Sequence, residues 1–225
     1  LCQLDKIYLQ DLAGYNQVLN QRNKLLKDIS FSPRLADTLD VWDMQLVHYG
    51  KKIIAARKRF IGELNGMIRD LHASLTGGRE SIYLNYEPNV EEELLEERLA
   101  ASRDRDLKFK QSSVGPHRDD FCVQVNDIDI RKFGSQGQQR TAALSLKLSE
   151  LALVKKRIGE NPVLLLDDVL SELDSSRQNY LLQSIHQIQT LITCTGLDEF
   201  VSNRFEINKI FRVIDGNVFK NNDEK

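Results

Sequence analysis

The chain has no G-x-x-x-x-G-K-[ST] stretch, so it carries no phosphate-binding Walker loop. Its only Gly-Lys pair, Gly50-Lys51, is followed by Lys52 and has Gln45 where the first glycine would stand. Cysteine is scarce: Cys2, Cys122 and Cys194 lie far apart without metal-ligand spacing, which argues against a disulfide framework and fits a reducing cytoplasm. There is no eighteen-residue apolar run and no signal-peptide pattern, so nothing points to membrane insertion or secretion. A net charge of -2 lacks the basic excess of a nucleic-acid binder, and any DNA contact must come from local patches. The chain also opens on Leu1 without an initiator Met, and helical periodicity begins at once. A C-terminal portion of a longer chain is the expectation.

What is present in 225 residues is enough for one large domain, or a domain with an arm. Leu4, Tyr8, Leu12, Tyr15, Leu19, Leu26 and Ile29 form the seam of a long amphipathic helix, interrupted by Arg22. Ser32-Pro33 is a helix-start signal, and a second seam runs from Leu35 through Trp42, Tyr49, Phe60 and Met67 to Leu71. Two such helices predict an antiparallel hairpin. Gly77-Gly78 ends the second helix, a short strand follows at 81–86, and a third, acidic helix is expected over about 89–106. Lys51, Lys52, Arg57, Lys58 and Arg59 lie off the seam; they are a solvated helix face or a DNA-contacting patch.

Beyond residue 110 strands alternate with helices. Ser112 to Asp120 has turn chemistry, 121–125 alternates as a strand, and 138–157 reads as a helix. The apolar run 162–166 predicts a strand buried on both faces, and 190–194 a second buried strand. Asp215-Gly216 between 210–214 and 218–219 marks a hairpin. The pattern predicts an α/β layer on a partly parallel sheet, with a helical arm (lid) over 1–110 and the α/β part over 111–225.

Asp167 falls at the C-terminal tip of a predicted buried strand, where α/β sheets bind ligands. A carboxylate there can hold Mg²⁺ beside nucleotide phosphates, and Asp168 next to it can polarise an attacking water. Ser135-Gln136-Gly137-Gln138-Gln139 places small and hydroxyl residues at a helix start, where unpaired N–H groups and the helix dipole favour anions. The plainer readings are a solvated Asp-Asp turn and a Gly-rich helix cap. Without a Walker loop beside it, the 135–139 segment has to complete another subunit's site, which makes dimerisation part of the mechanism.

Three stretches together carry a family resemblance: Ser135 to Leu148 (SQGQQRTAALSLKL), Leu164 to Asp174 (LLLDDVLSELD) and Ser113 to Asp120 (SVGPHRDD). The chain resembles, over essentially its whole length, the RecF family of bacterial DNA replication and repair proteins, within the ABC/SMC-type ATPases. The resemblance implies a partial ABC-type ATPase core. It implies binding at single-strand/double-strand DNA junctions, ATP-driven homodimerisation and slow hydrolysis. RecR and RecO are the implied partners in placing RecA on gapped DNA. It assigns Ser135, Gln136, Gly137, Gln138 and Gln139 to the signature that meets ATP across a dimer, Asp167 to Mg²⁺, and Asp168 to the catalytic carboxylate. Ser171, Glu172, Leu173 and Asp174 become the D-loop. Thr193 or Thr195 stands where transporter ATPases carry a switch histidine, and the γ-phosphate sensor stays unassigned. Asp168, where many relatives in the superfamily carry Glu, suits slow turnover.

The Gly-Pro-His-Arg element favours a bracing role, with Asp119 or Asp120 pairing Arg118, over a sensing one. Two other function classes stay open: an SMC-like structural ATPase, against which the arm is short, and a non-catalytic docking module using residues 1–75.

Overall fold

The computed structural model describes residues 1–170, 173–194 and 209–220, in two compact units, Leu1–Glu160 and Asn161–Lys225. In the first, α1 (Lys6–Asp28) is capped by Asp5, which accepts the Tyr8 N–H at 2.9 Å. Ser32 makes no side-chain cap; a 3-10 turn over Pro33–Thr38 takes up the start signal, and α2 (Leu39–Thr76) begins only at Leu39. Lys52 meets Asp11 at 3.2 Å and Arg22 meets Asp43 at 2.6 Å, so the two helices run antiparallel. Between them Tyr8, Tyr15 and Val18 bury against Leu46 and Ile53.

Arg22 interrupts the apolar seam because its environment is ionic. It is fully buried, with Nε on Asp43 at 2.6 Å and Nη1 on both Asp106 at 2.7 Å and the Ser112 hydroxyl at 2.8 Å. Asp43 takes a second cation, Arg103, at 2.7 Å. The expected single acidic helix is in fact a 3-10 turn (Glu92–Leu94) and two short helices, α3 (Leu95–Ala101) and α4 (Arg103–Phe109). The break falls at Ser102, whose hydroxyl donates to Leu99 O at 2.9 Å and Asp106 at 3.2 Å. That break brings Asp106 to Arg22.

β1 (Ile82–Glu87), β2 (Asp120–Val125) and β3 (Ile128–Asp129) form an antiparallel sheet in that order, with Ile82 opposite Val125 and Glu87 opposite Asp120. The pairing of β1 with β2 spans the 110/111 position, so the first unit extends well past the arm drawn from sequence. Asn65 of α2 clips the β1 edge, donating to Leu84 O at 2.7 Å and accepting Leu84 N–H at 2.8 Å. After α5 (Ile130–Phe133), α6 (Gln136–Ile158) lays Ala142 and Leu153 against Leu64 and Ile68 of α2, with Ile82, Leu84 and Val125 completing the core.

The Gly-Pro-His-Arg element is a structural knot. His117 Nε2 lies 3.1 Å from Ser112 O, a group that only accepts, so Nε2 carries the proton and Nδ1 accepts the Tyr15 hydroxyl at 2.7 Å. Gly115 sits at φ 130, where an added Cβ would stand 2.4 Å from that hydroxyl. The carboxylates do not pair Arg118 as the sequence suggests. Arg118, itself exposed, ends a 3-10 turn (Pro116–Arg118), while Asp119 reaches Arg57 at 2.8 Å and Asp120 reaches Arg131 at 2.7 Å.

Burial holds the His117 imidazole below its ordinary 6.5. The unfolded chain then protonates first, so this contribution to stability is lost as pH falls from about 6.5 through the depressed folded value. Thermal melts at about pH 7.5 and about pH 5.5 should differ accordingly, and His117→Gln should shrink the difference. An undiminished difference in the variant would assign the effect to other groups.

In the second unit β4 (Leu164–Asp167) and β5 (Thr190–Thr193) pair in parallel, Asp167 opposite Thr193, with α7 (Ser175–Ser184) between them in sequence. The strands are not buried on both faces as expected. Leu164 and Leu166 are buried, whereas Leu165 is 71% and Leu191 54% exposed, because only alternate side chains reach the covered side. β6 (Phe211–Ile214) and β7 (Asn217–Lys220) form the expected hairpin, with Asp215 at φ 50 and Gly216 at φ 76 in a turn that suits antiparallel strands. No helix among the described residues is long and apolar enough to cross a membrane.

Candidate nucleotide site

The β4 tip places Asp167 and Asp168 at the surface. Thr193 Oγ1 donates to Asp167 Oδ1 across the parallel pair, and the Asp168 N–H reaches Thr193 O at 3.1 Å. The backbone turns sharply here: Asp168 has φ 52, a left-handed conformation that aspartate tolerates better than most side chains. Thr193 is the residue sequence reasoning left undecided, and the structure sets it on the candidate metal carboxylate. Thr195 lies outside the described residues, as do Ser171 and Glu172. Leu173 is buried, and Asp174 caps α7 by accepting the Ser176 and Arg177 N–H groups at 3.1 and 3.0 Å.

The donor set at Asp167 bears on the metal expectation. No cluster of three or more His, Cys, Asp or Glu side chains with metal-ligand proximity occurs among the described residues. Mg²⁺ commonly takes one or two protein carboxylates and fills its remaining positions with phosphate oxygens and water. An exposed carboxylate already oriented by a hydroxyl fits that mode and no dedicated protein cage.

The 135–139 segment is built as a helix start. Asp129 caps α5 by accepting Arg131 N–H at 3.0 Å, and Gly134 follows where a Cβ would lie 2.7 Å from Ile130 O. Ser135 is then the N-cap of α6. Its hydroxyl accepts Gln138 N–H at 3.2 Å while Gln138 Oε1 accepts Ser135 N–H at 3.0 Å, a reciprocal capping box. Gln139, itself exposed, folds its amide back on the preceding turn, Nε2 donating to Ile130 O at 2.9 Å and Gly134 O at 3.3 Å. The five residues thus divide: Gln138 and Gln139 hold the cap, and exposed Ser135 and Gln136, with the first-turn amides around Gly137, face outward. Such a terminus, at the head of a 23-residue helix, is favourable for an anion.

The basic residues of α2 do not act alike. Lys52, Lys58 and Arg59 are exposed and Lys51 half-buried. Lys52 pairs with Asp11 at 3.2 Å and Lys58 with Glu91 at 3.9 Å. Arg57 instead points into the knot, donating to Pro116 O at 2.6 Å, Asp119 at 2.8 Å and the Tyr8 hydroxyl at 3.1 Å. The seam alone does not reveal this, because Asp119 is distant in sequence.

No family model matches the chain. It is 61% identical over 97% of its length to the DNA replication and repair protein RecF of Agathobacter rectalis, spanning 60% of that protein. The RecF of Lachnospira eligens is likewise 61% identical over 99% of the chain, which spans 62% of it. Among solved structures, one described as the recombination mediator protein RecF-ATPrS in the RecFOR pathway matches with a TM-score of 0.85. Its identity is 38%, over 97% of this chain and 60% of that one. A RecF-ATP structure matches with the same TM-score and identity, over 96% and 59%.

Proposed function

We propose that this chain, the counterpart of about 60% of a RecF protein, supplies the trans-acting half of an ATP-controlled DNA repair switch. The observation that carries the reading is the capped, outward-facing start of α6. Ser135 and the first-turn amides would hold the γ-phosphate of ATP bound by a second copy, since donors fixed in advance stabilise phosphoryl charge without reorganising. Asp167, oriented by Thr193, would hold Mg²⁺, which when bound neutralises phosphate charge. Asp168 would orient and deprotonate the attacking water. Hydrolysis would then dissolve a homodimer assembled on DNA.

DNA contact belongs to Lys51, Lys52, Lys58 and Arg59 in this reading. Lys58 pairs Glu91 at the surface and Lys52 keeps its ammonium exposed, so both can exchange a surface partner for a phosphate. Arg57 is assigned to the fold. RecR and RecO are the expected partners at single-strand/double-strand junctions, with RecA loaded downstream; the solved relative's description as a recombination mediator of the RecFOR pathway supports this.

The test is ATP turnover by the full-length protein, with and without gapped duplex DNA, beside Ser135→Arg. The expected result is stimulation by DNA and loss of at least about 100-fold in the variant, the size of effect seen when a charge-stabilising donor is removed. A variant that turns over normally removes the signature assignment and leaves partner docking by residues 1–75 as the leading reading.

A further inference from the structure

The signature cap is tied to the arm helix through a polar chain that runs from the surface into the core. Gln138 spends its carbonyl oxygen on Ser135 N–H, so its Nε2 faces outward from the box and donates to Glu80 Oε1 at 3.2 Å. Glu80 follows the Gly77-Gly78 end of α2 and is largely covered, its side chain 22% exposed. Its other oxygen lies 3.4 Å from Nε2 of His72, a fully buried residue on α2. On the far side of that ring, Nδ1 lies 2.8 Å from Ser145 Oγ on α6.

The hydrogen-bond directions follow from what each group can do. The Ser145 hydroxyl gives its proton to Thr141 O at 2.8 Å, so it receives one from His72 Nδ1. With Nδ1 facing Ser145, Nε2 lies 3.4 Å from the Glu80 carboxylate, within ion-pair distance when the ring is protonated. His72 therefore sits beside Glu80, Glu80 accepts from the Gln138 amide, and that amide accepts the Ser135 backbone N–H.

We propose that Glu80, anchored by His72, is a positioning residue for the signature, fixing the Ser135 cap that meets the phosphate. This rests on the reading of 135–139 given above. Glu80 touches no nucleotide. It sets the geometry of the groups that do, and it makes the end of the arm helix part of the signature's support.

The experiment compares Glu80→Ala, Glu80→Gln and Ser135→Arg in the full-length protein, with kcat and KM for ATP measured well below each melting temperature. Glu80→Ala should lower kcat about 10-fold while KM stays within about twofold, because the cap acts on phosphates already bound by the other subunit. Glu80→Gln should recover most of kcat, since its carbonyl accepts from Gln138 and its amide can donate to a neutral His72. An alanine variant with parental kcat overturns the proposal, as does a lower melting temperature with kcat unmoved. If Ser135→Arg is silent as well, the signature reading itself has failed; if Ser135→Arg is inactive and Glu80→Ala is normal, only the positioning role falls. A measurement on the unsubstituted protein stands apart from any folding defect. Nitrogen-15 spectra of the His72 ring should report a protonated Nδ1, and a bare Nδ1 overturns the relay.

Discussion

Replacing Arg22 with leucine should lower the stability of the Leu1–Glu160 unit by about 3–5 kcal/mol, the range for removing one partner of a buried ion pair. The side chain is fully buried, and the two carboxylates it serves differ in what remains. Asp43 keeps Arg103 at 2.7 Å. Asp106, itself fully buried, keeps only hydroxyl and amide donors: Ser102 at 3.2 Å and the Ser113 hydroxyl at 2.6 Å and N–H at 3.0 Å. The loss should therefore come mainly from an uncompensated charge at Asp106. Denaturant unfolding of Arg22→Leu and of Arg22→Leu/Asp106→Asn resolves this: the second change should restore a substantial part of the loss. A single variant losing under about 1 kcal/mol would mean the network behaves like a screened surface pair.

Asp168→Asn carries the largest expected effect on chemistry. The substitution keeps size, polarity and a side chain at home in the left-handed backbone at φ 52 while removing the proposed base. Turnover should fall by about 10²–10⁴, the usual contribution of a general base. ATP-driven dimer formation should persist, since Asp168 makes no claim on nucleotide binding in this scheme. Analytical ultracentrifugation with ATP, run beside a turnover assay, separates the two. Stable dimers without hydrolysis are the expected pair of results; dimer loss in parallel with turnover would reassign Asp168 to binding or folding.

Legibility in the sequence followed the range of the interaction. The helices of the arm were readable because Tyr8, Tyr15, Leu46 and Ile53 recur at helical spacing, and the final hairpin because Asp215-Gly216 suits positive φ. Ser32-Pro33 misled by a turn, since a start signal does not say whether the first turn is 3-10 or α. The run through Leu165 misled more, because composition cannot say which face finds a neighbour. Within the candidate site, Ser135 and Gln138 carry a capping-box signature in the letters alone. Glu80 does not: it meets Gln138 across 58 residues of sequence, and no local pattern announces such a contact. Arg22 left a trace as a break in periodicity, while its partners could be identified only in three dimensions.

One helix carries four of the polar anchors described for the first unit. Along α2, Asp43 meets Arg22, Arg57 meets Asp119, Asn65 clips Leu84, and His72 meets Ser145. Successive anchors are about two or about four turns apart, so they share roughly one side of the helix. Inserting or deleting one residue between Asp43 and His72 would rotate the anchors beyond it by about 100°, away from partners on other elements. Over evolutionary time this helix is then free to change its exposed letters and not its count, much as a notched key tolerates a new finish and no new length.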